Sequence, residues 1–369
     1  MSRSPLASII GRVTNAVSQH GSSKPGSALL GARVNASRPQ ARCPISASRT
    51  YASTSSVGSK PQLNVPTSAG GPQAPLEYCS SLVQRLDPEA WLCSYFWPKR
   101  ERAWFLAWRA FNLELHLVST TVTQPALASI RFQFWRDALK AIFTKDTAGG
   151  AAAVPQHPVA VLLAETRRER PIQKYYLSQM IDTRAKNLSL PPSSPTLESH
   201  LTTHGPLHTS LLLGPLPLLL PPTHASTSGI SHTLSHLSTL LCITSLLRSL
   251  PILVSKRSLN IPADVRERHG VVEEDVLRNG AAAKGVRDAC YEIGTRGMDE
   301  LITARRETKG AGGRVEPKAV RPLFLSAIPA ERYLKRLEGV DFDVFHPDLQ
   351  KQDWKLAPTI WWRSQTGKL

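Results

Sequence analysis

Residues 102–118, RAWFLAWRAFNLELHLV, contain no proline or glycine, and their apolar residues recur at helical spacing. The stretch predicts one buried helix and sets the expectation of an all-α chain. Asn112 and His116 stand four apart and therefore share a helix face. Glu114 is the only acid in the stretch, and its offset of two turns it to another face. Trp104 and Trp108, with Trp91 and Trp97 before them, read as core filling more readily than as a lipid-binding wall.

The neighbouring segments keep the helical period. Residues 78–111 predict two helices broken near Pro98. Ala128–Phe143 predicts another, with Ile130, Phe134, Ala138 and Ile142 on one face. Gly149-Gly150 and Pro155 mark a loop, and residues 157–188 predict two helices parted at Pro171. Residues 199–247 contain no Lys, Arg, Asp or Glu, which raises the question of a membrane span. Pro206, Pro215, Pro217, Pro221 and Pro222 cut the first half. The second half, Ile230–Leu247, is uncharged, but half of it is Ser, Thr or His. A span wants about twenty mainly apolar residues, so a buried core helix is the better reading. Further on, residues 269–280 predict a turn and a short helix whose acidic first turn is Glu273-Glu274-Asp275. Val286–Arg306 predicts an amphipathic helix lined by Val286, Cys290, Ile293, Gly297 and Leu301. A flexible basic loop, KGAGGRVEPK (309–318), leads to a last helix over Lys318–Leu337, bent at Pro322 and Pro329. No strand alternation, internal repeat or Gly-rich phosphate loop interrupts this pattern.

Charge narrows the partners. The chain of 369 residues carries a formal net charge of +17. Seven basic residues (Arg3, Arg12, Lys24, Arg33, Arg38, Arg42, Arg49) fall in residues 1–51, where no acid occurs. The rest of the surplus is spread out, without a dense basic run, zinc-finger spacing or RNP-like motif, so no nucleic-acid partner is expected. A matrix pH or an anionic membrane surface fits the balance. Leu6, Ile9, Ile10, Val13 and Val17 share a helical face away from Arg3 and Arg12, the pattern of a mitochondrial presequence over 1–51. Arg49-Thr50-Tyr51-Ala52-Ser53 resembles a matrix-processing site, and 52–75 has linker composition. The five scattered cysteines, without a CxxC, suit a reducing compartment. Residues 76–340 then form the expected helical domain, and 341–369 a C-terminal tail.

Several segments resemble the squalene/phytoene synthase family over about residues 76–308. Arg109-Ala110-Phe111 matches the lead-in of its first acidic motif. FQFWRDALKAIF (132–143) and HPVAVLLAETRRERPIQKYYLSQMIDTRAKNL (157–188) look like its paired central helices. SLLRSLPILVSKRSLNIPADV (245–265) lies without gaps on its second acidic motif, and HGVVEEDVL (269–277) resembles the family's next segment. The resemblance implies an isoprenoid-synthase-type helical bundle. It also places Asn112, His116, Ser249 and Leu253 where the family carries metal-binding aspartates, and Ile252 where it carries a further acid. Mg²⁺ takes oxygen ligands, chiefly carboxylates. The resemblance with these substitutions therefore implies a degenerate synthase with no metal, no cofactor and no catalytic residues. One departure falls in 191–228, where Gly205-Pro206 and a Pro/Leu run should shorten, kink or replace a helix that the family keeps whole.

AIPAERYLKRLEGVDFDVFHPDLQKQDWKL (327–356) is similar to the C-terminal signature of the family's mitochondrial branch, whose members are required to assemble respiratory complex I. That likeness implies a non-catalytic assembly factor in the matrix, peripheral on the inner-membrane surface. Its partners would be complex I subunits or other assembly factors. Two other readings stand beside it: a prenyl or isoprenoid transferase with a relocated metal site, and an isoprenoid or lipid carrier. Arg109, Arg248, Lys256 and Arg257 flank the two motifs and are either anion or lipid-phosphate contacts or ordinary surface charge. His200, His204 and His208, like His232 and His236, repeat every four residues. Pro206 interrupts the first ladder, no third ligand is near, and polar helix faces are expected rather than a metal site. In the tail, Trp354, Trp361 and Trp362 are interleaved with Lys351, Lys355, Arg363 and Lys368. They form either a short membrane-surface anchor or rings packed back on the bundle.

Overall fold

Asp87-Pro88 divides what the sequence offered as one opening helix. In this computed structural model, which describes residues 74–122, 124–144, 153–308 and 312–369, α1 runs Pro75–Leu86 and α2 Pro88–Ser94. Asp87 accepts a hydrogen bond from the Ala90 N–H at 3.1 Å, and proline takes the first helical position, where its missing N–H costs nothing. The region before Pro98 is therefore two helices. The presequence over 1–51, the Arg49–Ser53 processing site, the linker up to residue 73, the Gly149-Gly150 loop and residues 309–311 of the basic loop lie outside the described residues.

Pro98 then precedes α3, Lys99–Thr121. Trp104, Phe105, Leu106, Ala107, Trp108, Ala110, Phe111, Leu113, Leu115 and Val118 are all buried. A helix apolar on so many sides belongs at the centre of a bundle. It contacts α1, α4 (Pro125–Phe143), α5 (Pro158–Glu169) and α6 (Lys174–Asn187). In α4 the buried side is Ala128, Phe132, Trp135, Ala138, Leu139 and Ile142, while Ile130 and Phe134 face solvent. The stripe read from Ile130 and Phe134 thus lies off the core-facing side, and only Ala138 and Ile142 of it are buried.

The Pro/Leu-rich stretch departs from expectation in one place. Helix α7 runs Leu197–Leu213 straight through Pro206. Proline removes one helical N–H and usually costs about 3 kcal/mol in a helix interior. Gly205, just before it, has no Cβ to crowd the proline ring. Ser210 Oγ donates to Pro206 O at 2.8 Å, and Gln179 Oε1 accepts from the same hydroxyl at 2.9 Å. The break comes later, at Gly214, followed by a single turn over Leu216–Leu219 and a loop. Gly214 is fixed by packing: a Cβ there would stand 2.0 Å from Trp108 Cζ2. The Trp108 indole is fully buried and donates to Ser210 O at 3.1 Å.

Helix α8, Thr227–Ser255, spans 29 residues and by length and composition alone could cross a membrane. Leu234, Leu237, Leu240, Ile243, Leu247 and Leu250 are buried, and it packs on α7 and on α11 (Val286–Glu307). This is the position of a core helix. Gly297 of α11 lets the two approach closely, since a Cβ there would meet Ile243 at 3.1 Å. Val286, Cys290, Ile293 and Leu301 line the same buried side. Between α8 and α11 lie α9 (Ala263–His269) and α10 (Glu273–Asn279), whose first turn is acidic as expected.

The segment 318–337 is not one bent helix. Short turns over Lys318–Ala327 lead into α12, Ile328–Gly339. Nor is it the last, because α13 comes after it at Leu356–Thr366, with Pro358 accommodated in its first turn. Ile360 of α13 is fully buried against Cys93, Leu325 and Ile328. Glu331 of α12, 4% exposed, receives Arg305 at 2.8 Å and Lys335 at 2.5 Å, with Arg363 of α13 at 3.5 Å. Burial works against that carboxylate, yet Arg305 and Lys335 hold its pKa below the ordinary value. Among the described residues there is no strand, only an isolated bridge between Arg314 and Lys368.

Candidate functional site

Asn112 and His116 share one face of α3, and both meet Arg184 of α6. Arg184 Nη2 donates to Asn112 Oδ1 at 2.9 Å, and Nη1 lies 3.2 Å from His116 Nδ1. Asn112 is buried and His116 is exposed, so the guanidinium reaches from the interior toward the surface. Burial lowers the Arg184 pKa to about 10. Burial, then the charges of Arg184 and Lys256, lower that of His116. A neutral imidazole results, and its Nδ1 is free to accept the arginine proton.

More imidazoles line the same region. Asn187 Nδ2 and His204 Nδ1 are 2.9 Å apart, and His200 stacks on His204 with ring centroids separated by 4.2 Å. Burial pushes His200 and His208 down to about 3, with the cations and imidazoles around them adding to it. Burial and Arg184 also lower His204. Pro206 does not interrupt the ladder, because α7 continues through it. Among the described residues no three His, Cys, Asp or Glu side chains are grouped to hold a metal ion.

On α8, Ser249 Oγ donates to Leu246 O at 2.8 Å and accepts from Asn260 Nδ2 at 2.8 Å. Leu253 is half-buried and Ile252 exposed. An amide oxygen engaged by a guanidinium, an imidazole, a hydroxyl and an isobutyl group do not fit Mg²⁺, which asks for several anionic oxygens. A cation already held between Asn112 and His116 opposes it further.

The four flanking cations separate into two kinds. Arg109 Nε donates to Asp87 Oδ2 at 3.0 Å, and Arg248 grips both Glu89 oxygens at 2.8 and 3.0 Å. Arg248 also donates to Pro329 O at 3.2 Å. These two have acid partners within the fold. Lys256 and Arg257, just past the end of α8, are exposed. Glu114 is turned away from Asn112, as its spacing indicated. It accepts from Tyr78 Oη at 2.6 Å and lies 4.0 Å from His157 Nε2.

Arg184 is the residue that sequence reasoning passed over. It stands seven, four and three positions after Leu177, Met180 and Ile181, and all three are fully buried. A charge on the apolar face of an amphipathic helix requires a partner, and that was the available signal.

In the tail, Trp354, Trp361 and Trp362 remain 77%, 59% and 48% exposed while Ile360 anchors α13. Lys355 Nζ lies 5.2 Å from the Trp354 ring centroid, and the Arg363 guanidinium 5.8 Å from that of Trp362. Trp354, Trp362, Lys355, Pro358, Thr359 and Arg332 line an open groove of about 340 Å³.

The chain is similar along most of its length to proteins named NADH dehydrogenase (ubiquinone) complex I, assembly factor 6. The mouse protein is 33% identical over 306 residues, covering 80% of this chain and 85% of the relative. The human protein is 32% identical, covering 75% and 78%. A Drosophila melanogaster homolog is 31% identical, covering 78% and 83%. Among solved structures, a dehydrosqualene synthase in complex with ligand superposes with a TM-score of 0.65 at 15% identity, over 79% of this chain and 95% of the other. A squalene synthase from Alicyclobacillus acidocaldarius gives 0.58 at 16% identity, over 73% and 95%. These place the all-α bundle in the isoprenoid-synthase fold. The sequence profile of squalene/phytoene synthase matches residues 83–356, which carries the likeness past residue 308 and into the C-terminal segment. The chain belongs to the squalene/phytoene synthase family.

Proposed function

We propose that this protein is a non-catalytic assembly factor for mitochondrial respiratory complex I, a synthase fold kept as a binding scaffold. The observation that carries the reading is the Arg184 guanidinium seated on Asn112 and His116. In a prenyl synthase those positions face Mg²⁺, which neutralises a departing diphosphate; here an internal cation takes the place of the ion. With Ser249 and Leu253 in the second motif, the carboxylates for metal-assisted ionisation are absent from all four positions. The likeness to proteins named for complex I assembly supports the same reading from a separate direction.

Placement in the matrix, peripheral on the inner membrane, rests on the presequence-like start and on the tail. Tryptophan favours the membrane–water boundary, and α13 with the turn before it presents Trp354, Trp361 and Trp362 outward beside Lys355. The partners would be complex I subunits or other assembly factors met at that surface. Two measurements test the reading together. Cells lacking the protein should lose assembled complex I while the other respiratory complexes persist. The purified protein given prenyl diphosphates and Mg²⁺ should form no product. EDTA-sensitive turnover at ordinary enzyme rates, or unchanged complex I in the deletion, would overturn it.

A further inference from the structure

Among the described residues, Arg184 has no carboxylate partner to balance its charge. Its two hydrogen-bond partners, Asn112 and His116, are neutral, and Nε is buried without any acceptor. Every charged neighbour that perturbs His116, His204 or His208 is itself cationic. A buried guanidinium normally has a carboxylate, as Arg109 has Asp87 and Arg305 has Glu331. Arg184 is half-buried, and without a counter-charge its charge is held there at a desolvation cost. The way in is short, since His116 is exposed and Lys256, whose charge lowers the His116 pKa, also lies at the surface. With Nδ1 accepting from Arg184, His116 keeps its proton on Nε2 and presents a further donor outward.

We propose that Arg184, His116 and Lys256 together bind a phosphate-type oxyanion directly, with no metal ion between. The inference rests on the non-catalytic reading and deepens it: the site holds an anion without activating it. A planar guanidinium suits phosphate oxygens, and a lysine beside it adds a point charge. The anion arrives either as a soluble phosphate compound or as the headgroup of a lipid, and the chemistry of recognition is the same.

The test uses the purified full-length protein in EDTA. Inorganic phosphate should raise its melting temperature saturably, above the effect of chloride at equal ionic strength. Arg184→Met should remove the phosphate effect and leave a folded protein at least as stable without phosphate, because an unbalanced buried charge is gone. Lys256→Ala, at an exposed position, should weaken the midpoint by about tenfold, the size of one charged hydrogen bond. To separate the sources, a variant with Trp354, Trp361 and Trp362 all changed to Ser is sedimented with phosphatidylcholine vesicles, with and without phosphatidic acid. Sedimentation that needs both phosphatidic acid and Arg184 identifies a lipid headgroup; a phosphate effect without it identifies a soluble compound. No shift beyond that of chloride, or a shift that survives in both Arg184→Met and Lys256→Ala, overturns the proposal and leaves the assembly reading standing. A shift that appears only when Mg²⁺ replaces EDTA overturns both.

Discussion

Tyr78 donates its hydroxyl to Glu114 at 2.6 Å, tying α1 to α3. The acid is thereby used structurally, on the side of α3 away from Asn112. Burial first, and then the glutamate, raise the Tyr78 pKa, so the phenol stays a donor across the physiological range. Asn112 is left to face Arg184 as a neutral acceptor. The two sides of one helix thus do different work.

Placing a carboxylate at position 112 should stabilise the fold without creating a metal site. Asn112→Asp would place an anion 2.9 Å from Arg184 Nη2. Charge-assisted bonds of this kind contribute roughly 1 kcal/mol more than neutral ones. We expect a rise in the urea midpoint that disappears in Asn112→Asp with Arg184→Gln. Added Mg²⁺ should shift neither protein. A melting temperature that climbs with Mg²⁺ would show the aspartate choosing the ion over the arginine.

Gly214 and Gly229 make a paired test of close packing. Both lie in helical backbone regions, where alanine is ordinarily favoured. Nothing lies within 4 Å of a Cβ at Gly229, whereas one at Gly214 would stand 2.0 Å from Trp108. Gly214→Ala should destabilise by about 1–3 kcal/mol, and Gly229→Ala should stabilise by about 0.5 kcal/mol. Denaturant midpoints decide between them; equal effects would mean that Trp108 is free to move.

Acid should weaken the bundle well above the range of its carboxylates. His200 and His208 have folded pKa values near 3, against about 6.5 unfolded. The unfolded chain therefore binds protons first as pH falls. Their contribution is complete above about 6.5 and is lost progressively toward 3, by on the order of 1 kcal/mol or more per histidine at pH 5. Glu331, with its lowered pKa, keeps its contribution above its unfolded value of 4.5 and loses it only as pH falls further. Melting temperature monitored from pH 7.5 to 5 should fall, and His200→Gln with His208→Gln should flatten the slope. A flat profile in the parent protein would show that both imidazoles take up protons in place.

Much of this architecture was legible in the sequence, and the misses have physical causes. Period and breaker residues located α3, α5, α6, α8 and α11, because each buries a stripe that the sequence displays. Pro206 misled because its local cost is set against the packing of α7 on α6 and α8, which no helix propensity reports. Asp87-Pro88 was an unread start signal. The acids that pair with Arg109 and Arg248, Asp87 and Glu89, sit at the start of a short helix 22 and 159 residues away, and no local pattern names them. The Arg184 contact crosses 72 residues, and nothing in α3 alone names its partner.

The tail separates two roles on one short helix, and single positions can pull them apart. Ile360 is fully buried against Cys93, Leu325 and Ile328. Its truncation to Ala should cost about 2–4 kcal/mol, mostly through the cavity left behind. Trp361 and Trp362 are exposed with Trp354, and their change to Ser should leave stability within about 0.5 kcal/mol of the parent. Vesicle binding should respond in the opposite way. The Trp354, Trp361 and Trp362 to Ser variant should lose most of its sedimentation with cardiolipin-containing vesicles, and the parent should retain its own, weakening as salt rises. Ile360→Ala, assayed below its melting point, should bind nearly as the parent does, because its tryptophans are intact. If the triple variant melts earlier and binds vesicles unchanged, the rings are part of the packing and some other surface meets the membrane.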